Sequence, residues 1–346
     1  MASTPGKGRG YGRPVESTAS LEIHPRVAQW EPVSREQERA PGVSVVVRSF
    51  RRLPALLELL DAILAQDYED FEVVVIEQSG AEAKPFEDRF RALCEKHSEL
   101  RVIRAEPLGP AGARNRGWRE ANKDIVLFID DDDLPMSTTW ITAHAINYRD
   151  PEIVGVSGSE VLEPGERMPY VSRWLARHFC LSYSVLGTPY TFCRFDERVE
   201  RVDWLHGGNA SIRRSIVEEL GGWDAEFVDH EEHSLSVRLR PLRKTHRLVF
   251  DPDARMLRRK NIEGGIGRRG ASLHDSFRRD VQYYHRIAKA LLGWRFYLLL
   301  PLYPPLIWLR AARRVIGGGS AKLGAELMHI SATFPWAYRR ALTAQG

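Results

Sequence analysis

From residue 43 to about residue 130, apolar runs alternate with amphipathic stretches. Val43-Ser44-Val45-Val46-Val47 is rich in β-branched residues and reads as a buried strand. Leu56, Leu57, Leu60, Ile63 and Leu64 follow at helical spacing. Phe71 to Ile76 gives a second buried strand, residues 83–97 a helix, Leu100 to Ile103 a short strand, and Ala111 to Ala121 a further helix. Asp124 to Ile129 closes the series as a strand. Strands that alternate with helices predict a parallel sheet covered on both faces. Ligands of such sheets sit beyond the carboxyl ends of the strands. Arg48-Ser49-Phe50, Glu77-Gln78-Ser79-Gly80 and the carboxylate run Asp130-Asp131-Asp132-Asp133 all lie at such ends.

The pattern then changes. Residues 151–210 mix short apolar runs with turns, and Gly207-Gly208 marks a tight turn. Ser211 to Leu220 reads as a helix stopped by Gly221-Gly222, and Glu231 to Leu239 as another. From about residue 270 the chain reads as helical and basic. Phe296 to Leu309 carries no charge between Arg295 and Arg310, but it is too short and too rich in proline for a spanning helix. Its aromatic residues and flanking arginines suit a segment lying in a membrane interface. They equally suit a helix packed on the core or a dimer contact.

Composition adds limits. A 43% hydrophobic and 28% charged chain of 346 residues is an ordinary folded protein, long enough for one large domain with a helical appendage. Net charge is only +4, but residues 238–279 are heavily basic, which favours phosphate-bearing partners or an anionic surface. No recognition motif points to nucleic acid. Cys94, Cys180 and Cys193 lack metal-type spacing, and their odd number favours a reducing compartment. Residues 1–40 have no apolar core of an export signal and are expected to form a disordered tail. The expected location is cytoplasmic, with the inner face of the cell membrane included.

The acidic run carries the clearest chemistry. On a continued strand, Asp130 and Asp132 point one way and Asp131 and Asp133 the other. Paired carboxylates at a strand end suit a hard divalent cation and repel one another without one. Taken alone, the run also fits a solvated turn that caps the next helix.

Its setting resembles the inverting family 2 glycosyltransferases of the GT-A fold. The resemblance covers roughly residues 43–240. It runs through the first strand and helix to Leu64-Ala65-Gln66-Asp67-Tyr68, then Phe71 to Ile76, then Gly109-Pro110-Ala111-Gly112-Ala113-Arg114-Asn115-Arg116-Gly117. The Asp-x-Asp region at Ile125 to Asp133, Gly207-Gly208-Asn209-Ala210-Ser211, Gly221-Gly222-Trp223-Asp224 and Glu231 to Leu239 follow in the family's order.

The resemblance implies a Rossmann-like, mostly parallel mixed sheet flanked by helices over residues 41–260. A basic helical C-terminal region, 261–346, would follow it. It implies a hexosyl-type transferase that moves a sugar from a nucleotide sugar, here a UDP-sugar, to an acceptor hydroxyl on a glycan or lipid-linked molecule. Asp132 would contact a divalent metal, Mn²⁺ or Mg²⁺, and Asp130 the metal or the ribose, with Asp131 open as an alternative. Asp133 is expected as an exposed helix cap. Glu77 would hold the base or ribose, Ser49 and Phe50 would line the base pocket, and Arg114 and Asn115 would face the phosphates. Glu232 matches the general base, with Glu231 as its neighbour or alternative.

Three departures stand out. Glu replaces the family's Asp at 77 and at 232. Where many relatives place a metal-ligating His, this chain has Arg258. Arg258, Arg268 and Arg269 are therefore expected to share the neutralisation of the diphosphate, and His274 is a remote candidate for the missing ligand. The departures also leave open a non-catalytic scaffold that binds nucleotide or glycan. A nucleotidyltransferase ranks last, because no Gly-rich phosphate loop follows the first strand.

Overall fold

A computed structural model gives the fold, and it describes residues 40–162, 173–225, 227, 230–259, 262, 264–265, 272–318 and 321–343. The expected loose tail and the arginines at 268 and 269 lie outside the described residues.

The first half alternates as its pattern predicts. β1 (Val43–Ser49), α1 (Leu53–Leu64), β2 (Phe71–Glu77), α2 (Glu87–Lys96), β3 (Leu100–Arg104), α3 (Gly109–Glu120) and β4 (Ile125–Asp130) follow in order. Then come β5 (Asp133–Pro135), α4 (Trp140–Ala145), β6 (Ile153–Leu162), α5 (Arg173–His178), β7 (Ser182–Tyr183), β8 (Pro189–Tyr190), β9 (Asn209–Arg213), α6 (Arg214–Leu220), α7 (Glu231–Leu239) and β10 (Arg247–Arg258). The C-terminal helices are α8 (Leu273–Tyr283), α9 (Lys289–Leu292), α10 (Arg295–Leu299), α11 (Tyr303–Gly318), α12 (Ala321–Ala332) and α13 (Phe334–Thr343).

The main sheet has eight strands in the order β3-β2-β1-β4-β9-β6-β10-β5. β1 pairs in parallel with β2 and β4, and β6 with β10, while β9 runs antiparallel between β4 and β6. The central strands are buried on both sides, which accounts for their continuous Val and Ile runs. One core cluster packs α1 and α4 onto the sheet, a second packs α3, α6 and α7 onto the other face, and a third joins the C-terminal helices. Gly117 lets α3 lie directly on β1: a Cβ there would sit 2.2 Å from Val46 Cγ1.

Two expectations change here. Residues 211–213, expected as the start of a helix, belong instead to β9, and the helix begins only at Arg214. The loose reading of 151–210 missed the ten-residue β6. Asn209 explains both. Its amide donates to the carbonyls of Ser159 at 3.2 Å and Ala254 at 2.8 Å, and its carbonyl accepts from Trp140 Nε1 at 3.0 Å. It thus fastens three strands and α4 together, a role that depends on contacts distant in sequence.

Candidate active site

The acidic run does not continue as a strand. β4 ends at Asp130, the chain turns at Asp131-Asp132, and β5 starts at Asp133. The turn breaks the alternation. Oxygens of Asp130, Asp132 and Asp133 come within 4.8 Å of one another, while Asp131 turns away. Asp131 accepts from the Phe50 amide at 3.2 Å and from Arg52 at 3.0 Å, and Ser49 is buried beside it. Asp133 is no exposed cap. It is fully buried, neither carboxylate oxygen has a hydrogen-bond donor, and α4 starts seven residues later.

Arginines supply most of the counter-charge. Arg48 forks onto Asp130 with bonds of 2.8 and 3.0 Å. Arg52 bridges Asp131 and Asp132, at 3.0 and 2.9 Å. Arg258 lies 4.0 Å from Asp133 and 3.0 Å from Glu160. Burial works against ionisation of Asp130, but Arg48 and Arg114 outweigh it and hold its carboxyl well below the usual range. Burial pushes Asp131 up to about 6, with Arg52 opposing it. Burial pushes Asp133 far above the usual range despite Arg258, and Asp130 and Asp132 add to the rise.

Asp133 is therefore a buried carboxylate without a hydrogen-bond donor, with only Arg258 at 4.0 Å and two other carboxylates facing it. Buried carboxylates of this kind cost stability and call for an explanation. A hard cation with oxygen ligands would supply it. The backbone leaves room: a Cβ on Gly208 would sit 3.0 Å from Asp133 Oδ2 and 3.4 Å from Asp130 Oδ2. The oxygen donor set fits a hard divalent cation such as Mn²⁺ or Mg²⁺, and Asp130, Asp132 and Asp133 are the residues that could hold it.

Arg114 joins this turn to a second carboxylate pair. Almost wholly buried, it donates to Gly207 O at 2.9 Å, reaches Asp130 at 3.5 Å, and forms an ion pair with Glu231. Glu231 and Glu232 open α7. The residue before them, His230, is in the left-handed region at φ 68°, which turns the chain sharply into the helix. Burial and the adjacent Glu232 push Glu231 up, and Arg114 only partly offsets them. Glu232 is partly exposed, and it shares a small crevice with Arg114, Leu205, Gly207 and Trp223. Burial opposes its ionisation, but His233, His230 and Arg114 pull it well below the ordinary range.

Arg114→Ala would leave Glu231 and Asp130 short of a buried partner. The expected loss is about 3–5 kcal/mol of folding stability, measured by urea unfolding. Lys at the same position should restore only a small part, since it has no fork to reach three acceptors.

Other expected residues are committed elsewhere. Glu77 accepts from Arg104 at 2.6 Å and from the Ser79 amide at 2.6 Å. Its neighbour Gln78 anchors the loop before α3 by accepting from the Leu108 amide at 2.7 Å. Asn115 clamps the Gly222-Trp223 turn, donating to Trp223 O at 2.7 Å and accepting from Trp223 N at 2.8 Å. The Phe50 ring lies under the Arg51 guanidinium, and the Phe50 carbonyl accepts from Gly265 N at 2.9 Å. His274 packs on His329 among the C-terminal helices, and it is not among the residues that cluster with the aspartates.

Sequence reasoning missed three participants. Arg48 and Arg52 were not singled out, since neither carries a signal beyond its charge near the first strand end. Glu160 was hidden in β6; it binds Arg194 at 2.7 Å and Arg258 at 3.0 Å, and its signal was one charged residue in a small-residue strand.

Comparison with known proteins gives the family and the fold. The family model described as "Glycosyltransferase like family 2" matches residues 41–279. The uncharacterized glycosyltransferase YwdF of Bacillus subtilis is 33% identical over 92 residues, 26% of this chain and 32% of that protein. This chain thus spans about a third of that relative. A glucosyl-dolichyl phosphate glucuronosyltransferase of Haloferax volcanii is 26% identical over 227 residues, 62% of this chain and 68% of that protein. The mannosyltransferase PcManGT of Pyrobaculum calidifontis, solved with GDP-Man and Mn²⁺, superposes with a TM-score of 0.51 at 22% identity. That match covers 92% of this chain and 88% of the other, and it extends the likeness of fold into the C-terminal helices. With the mixed sheet, the acidic turn and most of the chain matched in one model, this protein belongs to the glycosyltransferase-like family 2 and has a GT-A-like fold.

Proposed function

We propose that the chain transfers a sugar from a nucleotide sugar to an acceptor hydroxyl by single displacement, with inversion. The observation that carries this reading is the Arg114 bridge, which joins the carboxylate turn to the Glu231–Glu232 pair. A donor diphosphate and an acceptor base must sit side by side for direct displacement, and one buried guanidinium holds the two groups of residues in that relation.

In this reading Asp130, Asp132 and Asp133 hold a divalent cation. When bound, the cation supplies positive charge to the departing diphosphate. Arg258 adds a fixed charge, oriented by Glu160. Glu232 accepts the proton of the acceptor hydroxyl as that oxygen bonds to the anomeric carbon. The bond from that carbon to the phosphate oxygen breaks, and the nucleoside diphosphate leaves. Glu231 stays paired with Arg114 and fixes the helix start. Ser49, Phe50 and Glu77 shape the base side of the pocket, Glu77 through Arg104 and Ser79 rather than through a free oxygen. A UDP-sugar is the first donor to test, and a glycan or lipid-linked molecule the acceptor. The Haloferax relative, by its name, acts on a lipid-linked sugar.

The pH profile separates the two glutamates. The pKa of Glu232 is depressed in the folded protein, so its ionised form persists above that value and is lost only as pH falls through it. Transfer should stay level on acidification until below about pH 4, the ordinary Glu range. If Glu231 were the base, an acid limb near its raised pKa of about 7 would appear instead. Measurement of kcat/KM from pH 8 downward decides.

A further inference from the structure

Residues 294–309 carry two apolar stripes. Phe296, Tyr303 and Ile307 are buried in the third core cluster. Trp294, Tyr297, Leu298, Leu302 and Leu309 are exposed along α10, the turn that follows it and α11. Trp294 is 69% exposed, Leu298 68% and Leu309 58%. A surface helix of a globular protein normally turns a polar face outward. Here the outer face is apolar too, and contiguous apolar exposure of this kind marks an interaction surface.

Charge selects the occupant. Between Asp280 and Glu326 the chain has seven Lys and Arg residues and no Asp or Glu. Arg295 lies over the Trp294 ring at 5.9 Å and Lys289 over the Tyr297 ring at 5.7 Å. Cations beside aromatic rings suit the boundary between headgroups and acyl chains. A second copy on the same face would set this positive charge against itself. Among the described residues no helix is long and apolar enough to cross a membrane.

We propose that the outer face of residues 294–309 docks on an anionic lipid surface. Trp294, Tyr297, Leu298 and Leu302 enter the interface, and Lys289 and Arg295 beside the rings meet lipid phosphates. The docked segment packs on the helix that adjoins the Glu231–Glu232 pair: Tyr303 lies on Tyr284 at 4.8 Å. Tyr283, at the end of α8, packs on His230 at 4.9 Å and on His233 at 5.5 Å, on both sides of Glu231–Glu232. Arg286 pairs with Asp224 at 3.5 Å, and Arg240 donates to the Leu291 carbonyl. An acceptor carried in the lipid layer would thus arrive near Glu232. This last step rests on the function proposed above; the docking does not.

The test is flotation of the full chain with vesicles of phosphatidylcholine alone or mixed with phosphatidylglycerol. Binding is expected to the anionic vesicles, weakened by salt, with a blue shift in tryptophan fluorescence. Trp294→Ser with Leu298→Ser should reduce partitioning about tenfold or more. Ile146→Ser, an exposed apolar residue of the sheet domain, should leave it unchanged. No binding to anionic vesicles, or binding untouched by the double variant, overturns the proposal. So does a stable dimer in sedimentation that the double variant dissociates. Donor hydrolysis in vesicle-free buffer is read in parallel. Flotation can fail while hydrolysis persists, or the reverse, so the two readings fail separately.

Discussion

Glu232→Gln should lower the rate of transfer by about 10²–10⁴-fold, the usual contribution of a general base, while the donor KM changes little. The substitution keeps the shape of the side chain and removes only its capacity to take a proton. Glu232 opens α7, is partly exposed, and is kept ionised by His233, His230 and Arg114. Glu231→Gln should behave differently. Its carboxylate is buried against Arg114, so its loss should appear first as lower stability and weaker donor binding. Steady-state kinetics together with thermal unfolding separate the two. Equal kcat losses with no change in stability for Glu231→Gln would reverse the assignment.

Asp133→Asn should raise the melting temperature of the metal-free protein and abolish the further rise on adding Mn²⁺. The wild-type carboxylate is buried with no donor, so replacing it with an amide that can donate to Asp130 or Asp132 should gain about 1–3 kcal/mol. The wild type should instead gain stability from the ion, about 2.7 kcal/mol at a hundredfold excess over Kd. Function bought with local instability is a common pattern at active sites. Differential scanning calorimetry with and without Mn²⁺ reads both effects. A variant that keeps the metal-induced rise would remove Asp133 from the site.

The first four strands were legible because their signal is local: continuous Val and Ile runs, spaced by amphipathic helices, need no distant information. The helix of the Glu pair was also local, and Glu231–Leu239 appeared where its pattern placed it. β6 and β9 were not legible, since their pairing is held by Asn209, Trp140 and the turn at Gly207-Gly208. Within the acidic run, strand alternation rightly put Asp130 and Asp132 together but left Asp133 on the other side with Asp131. The chain turns after Asp130, and that turn brings Asp133 inward and sends Asp131 toward Phe50 and Arg52. Nothing in four identical residues marks where a strand stops. Arg258 was expected beside the diphosphate from its place in the sequence, but Arg48 and Arg52 were hidden as partners, because Arg48 in β1 and Arg52 just before α1 meet the acidic turn only in the folded chain.

The most direct measurement is nucleoside diphosphate release from a panel of nucleotide sugars by the full chain, with Mn²⁺ present and then chelated. Release from at least one donor is expected, and it should stop on chelation and in Asp132→Ala. Donor binding without release across the panel would contradict catalysis and leave the fold as a nucleotide-binding scaffold.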